Sequence, residues 1–97
     1  MRKKNTETVG EALKQFFSEN RFFQQKFAES RVISAWPTVL GSTLASYTTN
    51  IYLRNGVLYV HLSSSVLRSE LMMAKELLIK KLNDKAGLIV VNDIIFR

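Results

Sequence analysis

His61 is the only histidine in the chain. An imidazole can ligate a metal or carry a proton, but Val60-His61-Leu62 places it mid-strand with no acidic neighbour, the setting of a solvated strand residue. Ser63, Ser64 and Ser65 are potential nucleophiles. No Gly-x-Ser-x-Gly elbow surrounds them, and three serines ahead of an apolar helix are better explained as helix caps. The glycines stand far apart, at 10, 41, 56 and 87, so no phosphate-cradling loop of the Walker or dinucleotide type exists. Glu70 and Glu76 are six positions apart on a helix and do not converge. Asp84 and Asp93 have the chemistry of loops and turns. With no cysteine there is no disulfide and no thiolate metal site. The expectation is a protein that is not an enzyme, with no catalytic residue, metal or cofactor.

Two constellations remain, both suited to polyanions. Tyr52, Tyr59, His61 and Arg54 fall on one face of a strand pair, where aromatic rings beside cations can stack unpaired bases. The competing account is cross-strand packing that stabilises the hairpin. Lys75, Lys80, Lys81 and Lys85 form one side of a helix and could meet phosphate, against the plainer reading of a solvated face with Glu76 paired to Lys80. Arg2, Lys3 and Lys4 add a basic N-terminal cluster. Trp36, beside Pro37, is either a core anchor or a partner-binding hot spot.

The elements that must position these residues can be read from spacing. Met1 to Thr6 is polar and basic and is expected to be a flexible arm. Thr8-Val9-Gly10-Glu11 has the form of a capping box, and Val9, Leu13, Phe16 and Phe17 make a helical stripe. Asn20 separates this helix from a second, from about Arg21 to Trp36. Pro37 either kinks that helix or begins a short turn closed by Gly41. In 47–54, Tyr47, Thr49, Ile51 and Leu53 share one face, and Thr48, Asn50, Tyr52 and Arg54 the other. Asn55-Gly56 predicts a two-residue hairpin loop, followed by a strand with Leu58, Val60 and Leu62 on one side. Ser65 to Leu82 predicts an amphipathic rod roughly 27 Å long, and Leu88 to Phe96 a final strand. The order ααββαβ describes an α+β domain: a three-stranded sheet with helices on one face, 7–43 helical and 46–97 hairpin, helix and strand. The last strand can pair with either member of the hairpin.

Ninety-seven residues make a single domain. The formal charge of +6 and pI near 9.9 favour DNA or RNA through counterion release, or give a basic surface with no nucleic-acid role. Residues 32–62 contain Arg54 as their one charge. No secretory signal follows the basic N-terminus, and no apolar run could span a bilayer. The expected location is the cytoplasm.

From Val32 to Ile95 the chain resembles the DciA family of bacteria. The pattern is Val32, Trp36, Val39-Leu40-Gly41, Leu44-Ala45, Gly56-Val57-Leu58, Val60-His61-Leu62, Ser64-Ser65, Glu70-Leu71, Leu77-Leu78, Leu82-Asn83 and Ile94-Ile95-Phe96. The resemblance implies a KH-like fold and a replication role: engaging the replicative DnaB helicase and assisting its loading on DNA, single-stranded or forked, without ATP hydrolysis. Trp36 and Gly41 match the family's Trp and Gly, which makes them candidate partner-binding residues. The Gly-x-x-Gly clamp of a true KH module is missing here, so base-specific RNA reading is not expected. Some relatives carry a flexible tail beyond this domain. If that tail makes the helicase contact, a chain stopping at Arg97 would bind differently. The alternative is a protein-interaction or self-assembly module presenting Trp36 or a sheet edge, with no nucleic-acid role.

Overall fold

The computed structural model describes residues 2–97, and the side chains of residues 2–8, 17 and 18 lie outside that description. The elements run α1 (Arg2–Glu19), α2 (Arg21–Leu40), α3 (Ser42–Ala45), β1 (Thr48–Arg54), β2 (Val57–Leu62), α4 (Ser65–Met73), α5 (Lys75–Ala86) and β3 (Asp93–Phe96). The class is α+β, with helices first, then a hairpin, a helical crossover and a closing strand.

Asn55 and Gly56 both take positive φ, 51° and 80°, and this turns the chain within two residues. β1 and β2 pair antiparallel, with Tyr52 opposite Tyr59 and Leu53 opposite Leu58. β3 pairs in parallel with β2, the second member of the hairpin, giving the order β1-β2-β3. The Gly56 carbonyl accepts the Asn92 N–H at 2.7 Å, so the loop before β3 docks on the turn.

Alternate residues of β2 and β3 are buried: Leu58, Val60 and Leu62, then Ile94 and Phe96. They meet Ala28, Val32 and Trp36 of α2, Leu67 and Leu71 of α4, and Leu78, Leu82 and Ala86 of α5 in one cluster. Each large apolar side chain taken fully from water there contributes about 1.5–3 kcal/mol. The other sheet face carries no helix.

Several expectations are corrected. The helix of 65–82 is not one rod. It breaks at Ala74 (φ −101°, ψ 11°) and resumes as α5, which runs on to Ala86 and ends at left-handed Gly87. Each half is tied to a different strand: Arg68 Nη2 donates to the Leu62 carbonyl at 3.2 Å, and Lys75 reaches Asp93 on β3 at 2.9 Å. The last strand begins at Asp93, not Leu88. Asn83 Oδ1 accepts the N–H groups of Val90 and Val91 at 3.0 and 2.9 Å, and its Nδ2 donates to the Val91 carbonyl at 2.9 Å. Those backbone groups are thereby lost to the sheet. α1 begins at Arg2, so Thr8 sits inside the helix and does not start it. Asn20 does divide the helices, its Oδ1 accepting the Phe23 N–H at 3.2 Å. Pro37 stays within α2, whose end is marked by Gly41 at φ 93°.

β1 is an edge strand. A bulge falls between Thr48 and Asn50. In a two-residue hairpin the backbone of Ile51 points away from β2, and here its N–H donates to Asn50 Oδ1 at 2.9 Å. The bulge also reverses the expected parity of Thr48, which turns to the helical side and accepts the Trp36 Nε1–H at 2.9 Å.

Candidate nucleic-acid interface

The uncovered sheet face is built by strand alternation. Burying Leu58, Val60 and Leu62 forces Tyr59 and His61 outward, and pairing with β1 sets Tyr52 directly across from Tyr59. The two phenol rings stack, with centroids 4.9 Å apart and planes 17° from parallel. The His61 ring lies 5.8 Å from Tyr52. The Arg54 guanidinium sits over Tyr52 at 5.7 Å, and the Arg97 guanidinium over Tyr59 at 5.3 Å. The result is a row, Arg54–Tyr52–Tyr59–Arg97, running from β1 across β2 to the residue that follows β3.

The arrangement shows the cross-strand packing of the tyrosines directly. The pair packs across the strands, and each ring is flanked by a planar cation able to stack on bases and to bind phosphate bidentately. His61 is half-buried, with Nε2 enclosed and lacking a hydrogen-bond partner. It is a packing member of the row, not the solvated residue expected. Arg97 was not anticipated. Its position is two residues beyond Ile95, which faces Tyr59 in the register, so strand parity would have placed it here had the pairing of β3 been legible.

The lysines divide. Lys75 Nζ binds Asp93 Oδ1 at 2.9 Å. That hydrogen bond, with one from the Ile94 N–H, holds the Asp93 carboxyl below its usual pKa. Lys75 therefore serves the junction of α5 and β3. Lys80, Lys81 and Lys85 are exposed on the side of α5 away from Leu78, Leu82 and Ala86. Lys81 and Lys85, with Asp84, border a shallow groove against Thr38 and Val39. The helix layer separates these lysines from the tyrosine row, so the two constellations do not form one site. The side chains of Arg2, Lys3 and Lys4 lie outside the described residues.

Trp36 is 2% exposed and is a core anchor, which corrects its reading as a contact residue. Gly41 ends α2, its N–H donating to the Pro37 carbonyl at 2.8 Å. Ser64, among the candidate nucleophiles, caps α4 by accepting the Leu67 N–H at 3.1 Å. Among the described residues no cluster of three or more His, Asp or Glu side chains could hold a metal, and no helix is long and apolar enough to cross a membrane.

A family model described as "Dna[CI] antecedent, DciA" matches residues 8–96. No curated protein and no solved structure matches the chain.

Proposed function

Because the chain belongs to the DciA family, we propose that it is a non-enzymatic adaptor of DNA replication that engages the replicative DnaB helicase and DNA and assists helicase loading in the bacterial cytoplasm. The match over residues 8–96 carries this reading. The bare sheet face supports its DNA-binding half. Arg54 and Arg97 supply charge for phosphates, and Tyr52 and Tyr59 supply ring surface for unpaired bases. Single-stranded or forked DNA suits such a face better than a closed duplex, whose bases are already stacked.

The test pairs retention of the chain on immobilised replicative helicase with anisotropy of labelled single-stranded and forked oligonucleotides over a salt series. Retention is expected, together with DNA affinity that falls steeply as salt rises. A chain that neither binds helicase nor shows salt-dependent DNA binding refutes the proposal. Helicase retention without any DNA affinity would leave the alternative, a protein-interaction module.

A further inference from the structure

We infer that the DNA track does not end at the sheet but turns the corner at Arg54 into a second subsite, a groove between the hairpin tip and the start of α2 that takes an unpaired base of the same single strand on Phe22 and its phosphate on Lys26. The inference rests on the proposed DNA contact of the sheet face and extends it. The groove measures about 320 Å³ and is bordered by Phe22, Lys26 and Glu29 on α2 and by Arg54 and Asn55 at the hairpin tip. Arg54 joins the two surfaces, because it stands over Tyr52 on the open face and also borders the groove.

The groove repeats the chemistry of the row. Phe22 is 65% exposed, a large apolar ring left in water. It meets Phe23 edge-on, at 5.7 Å and 81°, and Lys26 Nζ lies 5.6 Å from its centroid. A ring beside a cation is again on offer to a base and a phosphate. The one acid in the groove is already engaged. The Glu29 carboxylate takes Lys26 at 3.6 Å and a hydrogen bond from Gln25 Nε2 at 3.2 Å, and an arriving phosphate would compete with it for Lys26. Along the whole path three cations and three rings are interspersed: Arg97, Tyr59, Tyr52, Arg54, Lys26, Phe22. A single strand offers both partners, one charge and one ring per nucleotide.

The experiment measures anisotropy of labelled oligothymidylates of about 4 and about 16 nucleotides against the full chain and its Phe22→Ala, Lys26→Ala, Glu29→Gln and Tyr52→Ala variants. Thermal melts confirm folding; Phe22 and Lys26 are exposed, so their variants should melt as wild type does. Phe22→Ala is expected to weaken the long oligonucleotide roughly 5- to 150-fold while leaving the short one, which the sheet row alone can hold, unchanged. Lys26→Ala should flatten the salt slope for the long oligonucleotide by about 0.7. Glu29→Gln should tighten its binding. If Phe22→Ala and Lys26→Ala bind the long oligonucleotide as wild type does while Tyr52→Ala is weakened, the groove is no subsite and the sheet-face proposal stands alone. If those two variants lose helicase retention with DNA affinity intact, the groove receives protein and the inference is overturned. If wild type binds neither oligonucleotide, the proposed DNA contact itself fails, and the subsite with it.

Discussion

Trp36 shows how a conspicuous residue can owe its place to packing. The indole is enclosed between α2 and the sheet, and its one polar atom is satisfied by Thr48 Oγ1 at 2.9 Å. Trp36→Ala should cost about 3–5 kcal/mol in urea denaturation, and Thr48→Val, which leaves the indole N–H without its acceptor, about 1–3 kcal/mol. Asp93 carries a pH signature. Its carboxyl has a lowered pKa in the fold, chiefly through Lys75. The carboxylate therefore contributes stability that is fully present above the ordinary carboxyl value near 3.8, and that disappears as pH falls through the lower folded value. With its side chain 48% exposed, the contribution stays under about 1 kcal/mol. Denaturation midpoints measured from about pH 6 down to about pH 2 should show Asp93→Asn losing less stability on acidification than wild type.

At the scale of elements, the hairpin was the most legible part of the chain, because Asn55-Gly56 can adopt positive φ at both positions and the flanking residues alternate. Gly56→Ala should cost about 1–2 kcal/mol through its φ of 80°. The added Cβ would also meet the Asn92 side chain. A denaturation series with Gly56→Ala, alone and together with Asn92→Ala, should recover the steric share and leave the backbone share. Three features were not legible, each for a physical reason. The break at Ala74 has no Gly or Pro to announce it; Lys75, the first residue after it, pairs with Asp93, a contact between residues eighteen apart. Leu88 to Val91 has strand composition, yet β3 starts later because a single side chain, Asn83, holds the backbone of Val90 and Val91 out of the sheet. Simple alternation puts Thr48 on the open face, and one extra residue in the bulge reverses that parity. The tyrosine row is unaffected, since the register from Asn50 to Arg54 continues unbroken after the bulge.

At the scale of the molecule, the fold measures 60 × 25 × 19 Å, and the two basic constellations look in different directions. Composition pooled all the cations into one charge of +6. The structure sets Arg54 and Arg97 on a bare sheet and Lys80, Lys81 and Lys85 on the outer side of α5, which no sum of charges could reveal. If the sheet face is the DNA contact, Arg54→Ala and Arg97→Ala should each lower affinity for single-stranded DNA and flatten its salt slope by about 0.7. Lys80→Ala with Lys81→Ala should weaken binding less than either arginine substitution, because those lysines act only through the long-range field, screened beyond about 8–10 Å. Anisotropy at several salt concentrations separates the two behaviours; an equal or larger loss from the lysine pair would move the contact to the helical side.

On the β1 rim of the sheet one point is closed to strangers. Asn50 occupies the amide of Ile51, and the bulge beside it distorts the rim. Neither a second molecule nor an extended peptide can lengthen the sheet at that point by simple templating, which disfavours self-association through this stretch of the rim.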